Sequence, residues 1–171
     1  CYIEKSSKVE RAVNDLVISK TFDNGMICAS EQALIVDRDV APQVAQLLAD
    51  LGCYFLDPQE TKKLEKIAVC GEKCSLNPDI VGKSAFHIGQ MAGITLPENT
   101  KILIARQEGI GPEFPLSREK LSPVLAYYEV QDYREATETA RKMVEFGGMG
   151  HSAIFTARTR KSSGIIPSTY L

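Results

Sequence analysis

The sequence predicts an α/β fold with a mostly parallel, helix-covered sheet. Two observations carry this expectation. Short apolar runs such as "KILIA" and "PVLAYYEV" alternate along the chain with longer segments whose apolar residues recur at helical spacing. The 171 residues, 44% hydrophobic and 25% charged, are enough for one domain with a core of its own.

Taken in order, Ser7 with Glu10 fits a capping box and predicts a helix over 8–19, with Val9, Ala12, Val13, Leu16 and Val17 on one face. A loop over 20–32 leads to an apolar strand, 33–36. Asp39 is placed to cap a helix over 40–51, and Pro42 is tolerated in its first turn. Residues 53–56 read as a short strand. Asp57, Pro58 and Glu60 open a third helix, since Pro suits the first helical position. A turn and a short helix over 84–91 follow, then a buried-type strand, 101–105. The stretch 106–119 is too rich in Gly and Pro to be an element. A strand over 124–130 leads to a helix capped by Asp132 and Glu135, running to Phe146 and stopped by Gly147 and Gly148. "SAIFT" is the last strand. No internal repeat is visible, and residues 157–171 lack periodicity.

Composition excludes several functions. A net charge of −2 gives no basic field for nucleic acid or an anionic membrane. No apolar run reaches the roughly 18 residues of a membrane span, and no signal peptide is visible. Five cysteines, at 1, 28, 53, 70 and 74, are an odd number in a chain too long to need disulfide staples, so a cytoplasmic setting is expected. A start at Cys1 that enters a helix almost at once suggests a domain of a longer protein.

Cys28 is the first candidate for chemistry. Asp23, Asn24 and Gly25 can turn sharply through left-handed angles and aim residues 26–30 into a cleft. At such a junction backbone N–H groups are free to stabilise a thiolate. The alternative is a small buried hydrophobe. His151, after a glycine-rich run and before a strand, can act as acid, base or ligand, or sit on the surface as a cap residue. His87 reads as structural or exposed. Glu119 can accept two hydrogen bonds from a ribose diol, or be one more solvated charge. Cys70 and Cys74, spaced C-x-x-x-C without a second ligand pair, do not make a zinc site, and no metal is expected. "GGMG" follows a helix and precedes a strand, the reverse of the dinucleotide-binding order.

Four segments, in order, resemble a known family: "SKTFDNGMICASEQ", "LPENTKILIAR", "EKLSPVLAYYEV" and "GGMGHSAIFT". They are similar to the aldehyde dehydrogenase superfamily. The nearest branch acylates coenzyme A, above all as the aldehyde dehydrogenase half of bifunctional acetaldehyde/alcohol dehydrogenases. The resemblance runs over 1–156 and implies an aldehyde dehydrogenase catalytic-domain fold. The tail, 157–171, departs from the family pattern. Met26 stands where the hydrolysing enzymes carry Gln, which favours the acylating branch.

The resemblance implies Cys28 as nucleophile, Glu119 as a ligand of the NAD ribose, and His151 as an aid to catalysis. It implies interconversion of a short aldehyde, such as acetaldehyde, and acyl-CoA through a cysteine thioester, with NAD as cofactor and coenzyme A as co-substrate. The succinate-semialdehyde and propionaldehyde enzymes are near alternatives. The other partners it implies are a cofactor domain absent from these residues and further copies in a homo-oligomer. The fragment alone is expected to be inactive. The rival readings are a non-catalytic assembly or binding module with Cys28 as a buried packing residue, and a redox sensor, which needs a resolving cysteine near Cys28.

Overall fold

The computed structural model describes residues 1–70, 75–148 and 150–158. Strand β1 (Tyr2–Ile3) is followed by helix α1 (Val9–Thr21) and a turn over Phe22–Gly25. Then come β2 (Ala33–Asp37), α2 (Ala41–Asp50), β3 (Cys53–Phe55), α3 (Pro58–Ala68), the short hairpin strands β4 (Val69–Cys70) and β5 (Ser75–Leu76), and α4 (Ala85–Met91). Strand β6 (Ile102–Arg106), β7 (Val124–Val130), α5 (Tyr133–Gly147) and β8 (Phe155–Thr156) complete the described chain.

Six strands form one sheet in the order β3-β6-β7-β2-β1-β8. Every pairing in it is parallel. Side chains alternate between two faces, as the two-residue strand period requires. Leu34, Val36, Ile102, Ile104, Leu125 and Tyr127 meet α1 and α2 on one face. On the other, Leu103, Ala105 and Val124 meet α3 and α4, and Ala33, Ile35, Ala126 and Tyr128 meet α5. A sheet buried on both faces explains why the central strands read as continuous apolar runs.

Two expected caps are absent. Ser7 does not cap α1, which begins at Val9 behind Lys8 with no side-chain cap, and the Ser7 hydroxyl is buried without a partner. Asp39 does not cap α2 either: Val40 holds that position, and the Asp39 carboxylate pairs with Lys5 Nζ at 3.1 Å. The caps of α3 and α5 form as expected. Asp57 accepts from the amides of Gln59 and Glu60, and Asp132 from those of Arg134 and Glu135. Each is worth about 1 kcal/mol. The last strand is only Phe155–Thr156, shorter than expected, and β1 was not expected at all. Of the C-x-x-x-C pair, Cys74 and the Cys70 side chain lie outside the described residues. So does the tail beyond residue 158.

The connection from β6 to β7 departs from the usual helix crossover. Residues 107–123 carry only a single 3-10 turn, Pro115–Ser117, and an isolated bridge between Gly111 and Phe114. A long irregular stretch needs internal anchors. Lys120 provides one. It is fully buried, and its Nζ donates to the carbonyls of Leu116 (2.7 Å), Arg118 (2.6 Å) and Gln32 (3.0 Å).

Candidate active site

The turn before Cys28 is built from left-handed backbone, as the Asp-Asn-Gly sequence predicts. Asp23 (φ 49°), Asn24 (φ 51°) and Gly25 (φ 68°) follow one another in that region. Asp and Asn tolerate it because their short polar side chains bond locally. Here Asn24 Nδ2 instead reaches to a segment distant in sequence, donating to Gly82 O at 3.0 Å. At Gly25 a Cβ would stand 2.8 Å from Ser122 O, so only glycine fits. The chain then makes a second turn, closed by Ser30 N–H donating to Ile27 O at 2.9 Å. Cys28 occupies a central position of it. The residue is exposed, and its backbone N–H meets no acceptor among the described residues. Cys28 is therefore not a buried packing residue.

The Cys28 turn lines a cleft of about 420 Å³. Gln32, Ser117, Met143, His151 and Phe155 line it too, so the structure brings Cys28 and His151 to one cavity. His151 is exposed, beyond the end of α5, with Cδ2 4.0 Å from where a Gly147 Cβ would lie. The cleft opens at the amino-terminal ends of β1, β2 and β8. Open α/β sheets usually bind ligands at the carboxyl ends. A second cleft, about 380 Å³, lies at the carboxyl ends of β6 and β7 and holds none of Cys28, Glu119 and His151. Among the described residues no group of His, Cys, Asp and Glu could hold a metal, and no helix is long and apolar enough to cross a membrane. His87 is exposed on α4.

Glu119 does not line the Cys28 cleft. It is half-buried on the β6–β7 connection, two residues from Ser117, which does. Its carboxylate accepts no hydrogen bond from the described residues, which leaves both oxygens for a ligand. Two buried lysines, neither of them a candidate from the sequence, stand nearby. Lys20 and Lys120 are both fully buried. Burial lowers the pKa of Lys20 to about 8, against the attraction of Glu31 and Glu119. Burial, together with the nearby Lys20 charge, pulls Lys120 well below its ordinary value, with Glu119 opposing. Lys20 Nζ and Glu31 Oε2 are both buried without a hydrogen-bond partner.

This arrangement predicts a pH dependence. The unfolded chain holds the Lys20 proton up to about 10.5, whereas the folded chain sheds it near 8. Burying the charged form opposes folding below pH 8, and that penalty disappears as pH rises to 10.5. Its size is about 3 kcal/mol at most. In urea titrations the stability of Lys20→Met minus that of the wild type should therefore fall between pH 8 and 10.5; a difference independent of pH contradicts it.

Comparison with known proteins adds to this geometry. Over 159 residues the chain is 43% identical to aldehyde-alcohol dehydrogenase 2 of Entamoeba histolytica. Over 151 residues it is 41% identical to the bifunctional aldehyde-alcohol dehydrogenase of Escherichia coli. A crystal structure of an acetylating aldehyde dehydrogenase from Geobacillus thermoglucosidasius superposes with a TM-score of 0.88, at 44% identity over 92% of this chain. The chain is homologous to the acylating aldehyde dehydrogenases. Its match to them is partial in one direction: it covers 89% and 88% of this chain, but only 18% and 17% of the two relatives and 34% of the solved chain. No family model matches. The α/β fold with a parallel, helix-covered sheet is that of the acylating aldehyde dehydrogenases, as expected.

Proposed function

We propose that the chain is the nucleophile-bearing catalytic domain of a coenzyme A-acylating aldehyde dehydrogenase, spanning 1–156. One observation carries the reading: an exposed cysteine on a tight turn shares a cleft with a histidine, in a chain homologous to such enzymes. The Cys28 thiolate adds to the aldehyde carbonyl and forms a thiohemiacetal. The Cys28 backbone N–H, without a protein acceptor, donates to the oxyanion as it develops. Loss of hydride from the carbon converts the adduct to a thioester, and the thiol of coenzyme A then displaces Cys28 to give acyl-CoA. His151, at the same cleft, accepts the coenzyme A thiol proton as general base.

NAD, when bound, supplies the hydride acceptor. Glu119 fits a role in holding it, because a carboxylate with two uncommitted oxygens can accept both hydroxyls of a ribose. The remainder of the cofactor site belongs to a domain outside these residues, so the 171-residue chain alone is inactive. Ile18, Phe22, Met26 and Ile27, on the run of chain leading to Cys28, are all exposed and are apolar residues suited to covering by that domain. The substrate is a short aldehyde such as acetaldehyde. The assembled enzyme works in the cytoplasm as a homo-oligomer.

Alkylation with iodoacetamide, mapped by mass spectrometry, tests the reading. Cys53 is 7% exposed, and burial pushes its thiol up to about 12, so it should stay unmodified at pH 8. Cys28 should label first of the five cysteines. Labelling at Cys28 equal to or slower than that at Cys53 would overturn the assignment.

A further inference from the structure

We propose that Lys120 is a positioning residue, whose bonds to Gln32, from its backbone N–H and from its buried ammonium, together fix the Cys28 turn and the Glu119 segment to one another in the geometry that hydride transfer requires. The inference rests on the reading of Cys28 as nucleophile. A continuous set of hydrogen bonds carries it. Lys120 N–H donates to Gln32 Oε1 at 2.9 Å, and Lys120 Nζ donates to Gln32 O at 3.0 Å. Gln32 Nε2 donates in turn to Ser30 O at 3.1 Å. Ser30 N–H closes the turn on Ile27 O, with Cys28 at its centre.

The other two Nζ bonds, to Leu116 and Arg118, brace the same ammonium against the connection that carries Ser117 and Glu119. Three carbonyl acceptors match the three hydrogens of an ammonium and favour that charged form against the burial that pulls Lys120 below its ordinary value. A lysine buried to 0% exposure is a costly way to fill space that a methionine would fill at less cost. What it supplies, and methionine does not, is three directed bonds: two within its own connection, to Leu116 and Arg118, and one, to Gln32 O, across to the Cys28 segment. A reacting sulfur misplaced by about 1 Å costs about a hundredfold in rate. Rigid support of this kind is what holds a sulfur within that limit.

The experiment uses Lys120→Met in the full-length enzyme, with single-turnover NADH formation normalised to the amount of Cys28 that iodoacetamide can label. That normalisation removes the effect of a smaller folded fraction. The expected result is a per-site rate at least about tenfold lower, with aldehyde KM within about threefold of wild type. A per-site rate within about twofold of wild type overturns the proposal. Should Lys120→Met fail to fold, Gln32→Leu severs the bonds to Lys120 N–H and Ser30 and keeps the backbone carbonyl. It is expected to lower the per-site rate about threefold or more, and an unchanged rate again overturns the proposal. Cys28→Ala distinguishes the two levels. Turnover that survives Cys28→Ala overturns the nucleophile reading and this proposal with it. Turnover lost in Cys28→Ala but intact in Lys120→Met overturns this proposal alone.

Discussion

Cys28→Ala in the full-length enzyme is expected to lower kcat for aldehyde-dependent NADH formation by at least about 10³-fold. The size follows from the chemistry. Without sulfur there is no covalent adduct from which hydride can leave, and no thioester for coenzyme A to attack. The fold should not suffer. Cys28 is exposed on a turn, so its side chain buries little and its replacement leaves no cavity. A thermal midpoint close to that of wild type, together with lost turnover, is the expected pair of results. Cys28→Ser should stay nearly as inactive, because a hydroxyl at neutral pH is a far weaker nucleophile than a thiolate. Retained activity in either variant contradicts the mechanism, and a collapsed fold contradicts the description of the turn.

Gly25→Ala is expected to destabilise the chain by roughly 2–4 kcal/mol, a large loss for a single methyl group. Two costs combine. A φ of 68° is left-handed backbone, which alanine adopts only with strain. The new Cβ would also stand 2.8 Å from Ser122 O and 3.1 Å from Lys20 O, both backbone atoms that cannot rotate aside. Ser122 lies two residues from Lys120, so relief of the clash displaces either the Cys28 turn or the Glu119 segment. Urea denaturation checks the stability. A loss below about 0.5 kcal/mol would show that the turn is not held as described. Alkylation of Cys28 in the folded variant reports whether the turn has moved.

Much of this architecture is legible in the sequence, for physical reasons that can be named. Strands β2, β6 and β7 are buried on both faces over most of their length and appear as apolar runs, interrupted only by Asp37, Arg106 and Glu129 near their ends. The Cys28 turn is legible because Asp-Asn-Gly is chemistry for left-handed backbone. Strand β1 is not, since two residues carry no period; it exists because Tyr2 and Ile3 pair with β2 and β8. Asp39 has the right type and place for a cap, but a lysine 34 positions away in sequence claims it. The α1 stripe of Val9, Val13, Leu16 and Val17 continues at helical spacing to Lys20, which is buried. That signal was present in the periodicity, and the charge of the residue concealed it. Lys120 gave none, because an irregular connection has no period from which burial can be read. Cys28 and His151 were legible as candidates, and their shared cleft required the fold. Glu119 stood out from its neighbours by family resemblance alone.

Incubating the full-length enzyme with acetyl-CoA, without NADH, and mapping the digest by mass spectrometry puts the mechanism to its sharpest test. Running the acyl transfer backward should leave an acetyl group on the peptide containing Cys28, as a thioester cleaved by hydroxylamine or by added coenzyme A. An unmodified Cys28 peptide, or an adduct confined to another cysteine, contradicts the assignment of Cys28 as the sulfur that carries the acyl group.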